Sequence, residues 1–174
     1  MTADGNHWVF AYGSLMWQPG FTFLRAERAR LSGYHRALCV KSVIYRGTAA
    51  EPGLVLGLSP GGECRGLGFE VAADGWAEVQ DYLRAREQVT RVYREVMVPV
   101  TLDGPAERVE ALTFVAEPTH PQYAGDLAED AVVRMVREAK GTAGTARDYL
   151  MTTLQHLRSL NIEDAALERV ASLL

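Results

Sequence analysis

The stretch Trp8-Val9-Phe10-Ala11-Tyr12-Gly13-Ser14-Leu15 decides how the chain begins to fold. Its first five residues are apolar or aromatic, and the glycine that follows stops the run. A short apolar run of this kind predicts a buried β-strand over residues 8–12, with a turn immediately after it.

The turn after this strand contains residues that suit the binding of an anion. Gly13 can adopt a positive φ there, which lets the backbone approach a ligand closely. Successive amides of such a turn point the same way, and Ser14 adds a hydroxyl group. The alternative is a plain turn in which the serine is satisfied by a local hydrogen bond.

Strand patterns dominate the first two-thirds of the chain. Beyond residues 8–12, they predict strands over 34–44, 54–58, 66–71, 91–102 and 109–115. The sequence Ser-Pro-Gly-Gly at 59–62 predicts a turn between two of these strands. The sequence Asp-Gly-Pro at 103–105 predicts the short loop of a hairpin between the last two.

Helical patterns interrupt the strands once and then close the chain. They predict helices over 76–90, 126–140, 145–160 and from 163 to the end. Thr145 with Asp148 three residues later resembles a capping box. Strands followed by helices with little strict alternation predict an α+β fold, a small mixed β-barrel flanked by helices. No linker-like change of composition interrupts the 174 residues, so we expect a single domain over 1–174.

One carboxylate falls on the apolar face of the first predicted helix. On a wheel of about 100° per residue, Glu87 lies in the arc of Val79 and Leu83. Burial is costly for an unpaired carboxylate and raises its pKa, which suits general acid–base catalysis near neutral pH. The alternatives are that the helix ends before Glu87, or that Arg86 or Arg91 pairs with it.

Three further side chains are candidates for binding a ligand. Tyr149 lies at the edge of the apolar stripe of its helix, in the first turn, beside the positive helix N-terminus. A tyrosine there can hydrogen-bond a ligand, although an amphipathic rim residue is the commoner case. Tyr123 has the same two interpretations. Arg46, in Arg-Gly-Thr at 46–48, either binds a carboxylate or belongs to a turn.

Composition excludes several classes of function. The net charge of −4 disfavours a nucleic-acid partner. The two cysteines form no C-x-x-C pair, and no two of the four histidines are three to five residues apart, so we expect no metal site and no disulfide framework. The N-terminus has no signal-peptide pattern, and no apolar stretch is long enough to span a membrane. These features together predict a cytoplasmic protein without a membrane partner.

Six sequence blocks follow one another in order along the chain. They are Val-Phe-Ala-Tyr-Gly-Ser-Leu-Met-Trp at 9–17, Gly-Tyr-His-Arg at 33–36, Arg-Gly-Thr at 46–48, Pro-Gly-Leu-Val-Leu at 52–56, Tyr-Leu-Arg-Ala-Arg-Glu at 82–87 and Gly-Thr-Ala-Arg-Asp-Tyr-Leu at 144–150. Together they resemble the ChaC family of glutathione-specific γ-glutamylcyclotransferases, from about residue 8 to about residue 160. The resemblance implies the γ-glutamylcyclotransferase-like fold, which agrees with the predicted barrel.

The resemblance also implies roles for individual residues. Glu87 is implied as the catalytic acid–base and Tyr149 as a substrate contact. The implied γ-glutamyl-binding loop consists of Val9, Phe10, Ala11, Tyr12, Gly13, Ser14 and Leu15. Ala11 stands where the family usually has glycine, which is tolerable if its φ is negative. Glu78 matches a second acidic residue of the family, but it falls opposite Glu87 on the wheel, so we expect a surface or gating residue rather than a proton carrier.

The implied substrate is glutathione. Its α-amine attacks its own γ-carbonyl, which releases 5-oxoproline and cysteinylglycine without a metal or cofactor. Two alternatives remain open at this point. The same fold can cyclise another γ-glutamyl compound, or the chain can be a non-catalytic binding module that regulates transport.

Overall fold

The computed structural model describes residues 5–104 and 106–174, and this part of the chain contains seven strands and four helices. The strands β1 to β7 span His7–Ala11, Arg25–Ser42, Gly53–Val71, Tyr93–Leu102, Arg108–Ala116, Lys140–Gly141 and Gly144–Thr145. The helices α1 to α4 span Trp76–Glu87, Glu129–Glu138, Ala146–Ser159 and Ala165–Ser172. The predicted hairpin loop at 103–105 lies partly outside the described residues, since Pro105 is not among them.

Five of the strands close into a barrel in the order β1-β3-β2-β4-β5. Strand β1 pairs antiparallel with β3, where Val9 lies opposite Phe69. The same residue of β1 lies opposite Leu112 in a parallel pair with β5. Strands β2 and β4 are antiparallel. The barrel is therefore mixed, and the predicted α+β class with a small mixed β-barrel is confirmed.

The chain divides into two compact units. Residues up to Arg36 together with Pro60–Val115 form the first unit, and Ala37–Ser59 together with Ala116–Leu174 form the second. Each unit buries large apolar side chains, among them Trp8, Phe10 and Leu102 in the first and Leu54, Leu150 and Leu157 in the second. The expectation that residues 1–174 act as one domain stays a prediction.

Strand β3 corrects the prediction of two short strands separated by a turn at 59–62. A single strand runs from Gly53 to Val71. Gly61 and Gly62 have φ values of 93° and 74°, which change the local direction of the backbone without reversing it. The Nδ1 of His35 in β2 donates to the carbonyl oxygen of Gly61 at 2.9 Å. The segment therefore remains beside β2 instead of folding back on itself.

Three other element boundaries differ from the prediction by three residues or more, and one of them is the start of α2, at Glu129 rather than at residue 126. Strand β2 begins at Arg25 rather than at residue 34, because Ala29 and Leu31 are buried between exposed neighbours and continue the alternating pattern. Helix α1 ends at Glu87 rather than at residue 90. Gln88, the residue after the helix, has a φ of −100° and a ψ of 20°, outside the helical range, and Arg91 further on has a φ of 59°.

The remaining local predictions concern a helix start and the cysteines. The side chain of Thr145 accepts a hydrogen bond from the amide of Asp148 at 2.9 Å, which confirms the predicted cap of α3. The short hairpin of β6 and β7 was not predicted, because two-residue strands leave no periodic pattern. Cys39 and Cys64 are both buried, and neither takes part in a disulfide within the described residues.

Candidate functional site

The loop after β1 is a compact turn held by its own backbone. The amide of Met16 donates to the carbonyl oxygen of Gly13 at 2.9 Å, and that of Gln18 donates to Ser14 at 2.8 Å. The φ of Gly13 is −136°, so the predicted positive φ is wrong. The direction of the chain changes through the 3-10 turn over Ser14–Met16 instead. The backbone amides of residues 16–18 donate hydrogen bonds within the loop. The amides of residues 13–15 therefore remain as the candidates for binding an anion.

The side chains of the predicted loop residues differ in exposure. Ser14 is half-buried, whereas the others are buried, namely Val9, Phe10, Ala11, Tyr12, Gly13 and Leu15. Because the side chains of Val9, Phe10 and Ala11 are buried, we expect these residues to contact a ligand through their backbone groups. Ala11 is not among the residues with positive φ, so its methyl group is compatible with the end of the strand.

A buried arginine holds the backbone at the start of this loop. Arg36, only 4% exposed, donates through Nε to the carbonyl oxygen of Tyr12 at 2.6 Å. Its Nη2 donates to the carbonyl oxygen of Arg65 on β3. Sequence reasoning missed this contact, although Arg36 shares a strand face with the buried Leu38 and Val40. That alternation is the signal that could have identified it.

Glu87 is the last residue of α1, and its side chain is 18% exposed. Burial raises the pKa of the Glu87 carboxyl above its ordinary value, and the charge of Arg86 opposes that rise. The partial negative charge at a helix C-terminus acts in the same direction as burial. The carboxyl group therefore lies in surroundings that favour its protonated form more than water does.

Arg86 connects this carboxylate to the loop after β1. Its Nε lies 3.3 Å from Oε1 of Glu87. The same guanidinium donates to Oγ of Ser14 at 2.9 Å, to the carbonyl oxygen of Gln18 at 2.7 Å and to the hydroxyl of Tyr82 at 3.0 Å. The pairing of Arg86 with Glu87, which the sequence left open as an alternative, is present. The first unit thus contains both the predicted acid–base residue and the predicted binding loop.

Tyr149 belongs to the second unit, near the start of α3. Its hydroxyl oxygen accepts a hydrogen bond from the amide of Leu56 at 3.1 Å. The guanidinium carbon of Arg46 lies 5.5 Å from the centre of its ring, a cation–π distance. The hydroxyl of Tyr149 is therefore held by a hydrogen bond, and the guanidinium of Arg46 covers one face of its ring.

The two other candidate residues are Tyr123 and Glu78. The hydroxyl of Tyr123 lies 2.7 Å from Oγ of Ser59, and the backbone of Tyr123 forms a bridge with Val40. Glu78 is exposed on α1, as the helix wheel predicts.

Two searches of the described residues concern metals and membranes. Within 5–104 and 106–174, no three His, Cys, Asp or Glu side chains are grouped closely enough to hold a metal ion. In the same part of the chain, no helix is both long and apolar enough to cross a membrane. That no metal or cofactor takes part in the reaction stays a prediction.

Comparison with known proteins identifies relatives of the whole chain. A family model described as ChaC-like protein matches residues 7–174. An Escherichia coli (strain K12) protein named glutathione-specific gamma-glutamylcyclotransferase is 33% identical, over 94% of this chain and 71% of its own. A Schizosaccharomyces pombe protein of the same name is 30% identical, over 94% and 88%. A crystal structure of the yeast cyclotransferase specific to glutathione superposes with a TM-score of 0.85 at 20% identity, covering 97% of this chain and 95% of that one. This last likeness shows the fold.

Proposed function

The chain belongs to the ChaC-like protein family, and we propose on that premise that it is a glutathione-specific γ-glutamylcyclotransferase. The α-amine of the γ-glutamyl group attacks the γ-carbonyl carbon, so a new C–N bond closes a five-membered ring. The old amide bond breaks, and a proton moves from the attacking amine to the leaving one. The products are 5-oxoproline and cysteinylglycine.

Folding the substrate into attack geometry is the first task of the protein in this proposal. Orientation of an intramolecular reaction can lower the barrier by several kcal/mol, up to about 7–11. The loop over 9–15 binds the γ-glutamyl end, and its amides at 13–15 bind either the α-carboxylate or the developing oxyanion. The contacts of Arg36 and Arg86 with this loop support the assignment, because they hold it in one conformation. Tyr149 is proposed as a further substrate contact.

Moving the proton is the second task, and we assign it to Glu87. The attacking amine arrives mostly as ammonium, so it must lose a proton before it can form a bond. Glu87 takes that proton and passes it to the leaving nitrogen; the second proton that the attacking nitrogen loses as the ring closes also reaches the leaving nitrogen, so cysteinylglycine departs as an ammonium. The observation that carries this assignment is the position of the carboxyl group, 18% exposed at the end of α1, with its pKa raised by burial.

The proposal has consequences for cofactor and location. An intramolecular amide transfer is redox-neutral and needs no cofactor. The acidic net charge and the two cysteines support a cytoplasmic enzyme without a nucleic-acid partner. The whole of residues 1–174 acts as one functional domain in this proposal.

The test is the release of 5-oxoproline and cysteinylglycine from glutathione, followed by mass spectrometry with and without a chelator. We expect Glu87→Gln to lose about 10²–10⁴-fold in turnover, the usual contribution of general acid–base catalysis. The matched control is Asp81→Asn, which removes an exposed carboxylate from the same helix. Near-normal turnover by Glu87→Gln would show that another group moves the proton. No turnover by the wild type would refute the proposed activity itself.

A further inference from the structure

Arg36 holds the start of the loop after β1 through two backbone carbonyl groups. Its Nε donates to the carbonyl oxygen of Tyr12 at 2.6 Å, and its Nη2 donates to the carbonyl oxygen of Arg65. All three residues belong to the first compact unit. Because Arg36 is only 4% exposed, we expect it to affect a ligand through these backbone groups and not by contact.

The carbonyl of Tyr12 lies directly beyond the pairing of β1 with β3. That pairing ends at Ala11 of β1. A Cβ atom at Gly66 would come within 2.1 Å of the carbonyl oxygen of Ala11, so the two backbones are still in close approach there. Arg36 therefore fixes the chain at the first residue that the sheet no longer pairs, which is also the last residue before the loop.

The carbonyl of Tyr12 and the amide of Gly13 belong to the same peptide unit. This unit is planar and trans, since the described residues contain no cis peptide bond. The C=O and N–H bonds of a trans unit point in opposite directions, so the bond from Arg36 to the carbonyl also fixes the direction of the amide. A charge-assisted hydrogen bond polarises the unit as well, which strengthens its N–H as a donor.

We propose that Arg36 is a positioning residue that orients the amide of Gly13 as a hydrogen-bond donor to the bound γ-glutamyl group. This inference rests on the proposed function, in which the amides of residues 13–15 bind the α-carboxylate or the developing oxyanion. Arg36 acts on that group through one peptide unit. A planar guanidinium suits this task, because its fork of N–H donors can hold two carbonyl oxygens at once, whereas a lysine ammonium is a point charge on a flexible stem.

The first measurement is kcat/KM for 5-oxoproline release from glutathione. Arg36→Met removes both hydrogen bonds and should lose at least about tenfold, since a misplaced donor no longer stabilises the charge it faces. Arg36→Lys retains the positive charge without the planar fork, so its loss should be smaller. The matched control is Arg30→Met, which removes an exposed arginine from the same strand and should leave kcat/KM unchanged.

The second measurement observes the peptide unit of Tyr12 and Gly13 directly by NMR. Tyrosine is followed by glycine only once in the chain, so ¹³C-carbonyl tyrosine combined with ¹⁵N-glycine selects the amide signal of Gly13. 5-Oxoproline retains the α-carboxylate and the former γ-carbonyl group. At a concentration that inhibits turnover, it should move the Gly13 amide proton of the wild type downfield. In folded Arg36→Met the same addition should move that proton less, which a loss of stability alone does not produce.

Three results would overturn the role of Arg36. One is a Gly13 signal of the wild type that does not respond to 5-oxoproline, a measurement that needs no variant and so holds even if Arg36→Met folds poorly. The others are an unchanged kcat/KM in Arg36→Met and an equal response of the Gly13 signal in both proteins. Each result leaves the proposed activity standing, because that activity is judged by 5-oxoproline release from glutathione by the wild type.

Discussion

Replacing Arg86 by glutamine should shift the pH dependence of the reaction in a predictable direction. Arg86 is the charged group that acts on Glu87 among the described residues, and its charge lowers the pKa that burial raises. Removing that charge leaves burial unopposed, so the pKa of Glu87 must rise further. A base must be deprotonated in the free enzyme, so the acidic limb of kcat/KM should move to higher pH.

The size of this shift follows from the distance between the two side chains. At the 3.3 Å between Nε of Arg86 and Oε1 of Glu87, two unit charges interact by about 1.3 kcal/mol even at the dielectric constant of water. That energy is a factor of about ten in the equilibrium between the protonated and the ionised carboxyl group. Because both side chains are mostly buried, the effective dielectric constant is lower, so water screens this interaction less.

The assay is initial-rate 5-oxoproline release from glutathione at subsaturating concentration between about pH 5 and 9, a range that brackets a raised carboxyl pKa. Below both acidic limbs, Arg86→Gln should be about tenfold slower than the wild type. Ser14→Ala is the matched control, since it removes the hydrogen bond to Arg86 but keeps the charge beside Glu87. Ser14→Ala should leave the pH of the acidic limb of kcat/KM unchanged, even if it changes the rate itself.

A limb that stays in place in Arg86→Gln would refute this reasoning, because it would mean that the titrating group does not experience the charge of Arg86. A limb that moves to lower pH would refute it as well. A change in the plateau rate alone would assign Arg86 to holding the loop rather than to the titration of Glu87.

Three predictions concern stability, each measured by urea denaturation. Because burial raises the pKa of Glu87 in the folded state, the wild type loses stability as pH rises from the unfolded carboxyl pKa through the folded one. Glu87→Gln should therefore become progressively more stable than the wild type across that window, and a constant difference would contradict the expectation. Gly66→Ala places a Cβ atom 2.1 Å from the carbonyl oxygen of Ala11 and should cost about 3 kcal/mol, whereas an unchanged midpoint would contradict this close approach. Thr145→Ala removes the cap on the amide of Asp148 and should cost about 1 kcal/mol, with Thr145→Ser as the variant that retains it.

Periodic patterns predicted the elements whose side chains alternate or repeat between core and solvent. Helix α3 and strand β1 are such elements, and both lie within a residue or two of their predicted bounds. The prediction of a turn at 59–62 was wrong because two adjacent glycines indicate that the chain changes direction but not by how much. Whether the chain reverses or continues depends on its pairing with β2, which is not encoded locally.

The candidate site was only partly predictable for a related reason. The helix wheel identified Glu87 as a carboxylate on an apolar face, since Val79 and Leu83 lie on that face and are buried. The bonds that Arg86 makes to the loop over 14–18 join segments about 70 residues apart, and no local pattern reports them. The same holds for the ring of Tyr149 beneath Arg46.

Burial protects the two cysteines of this protein from thiol–disulfide exchange. Cys39 and Cys64 are 1% and 2% exposed, and burial raises the pKa of the Cys39 thiol. Exchange requires a thiolate that an incoming disulfide can reach, and burial removes access at both positions while it also lowers the thiolate fraction of Cys39. The proposed substrate is itself a thiol whose oxidised form is a disulfide. Oxidation of the surrounding pool would therefore reduce the supply of substrate without forming mixed disulfides on the enzyme.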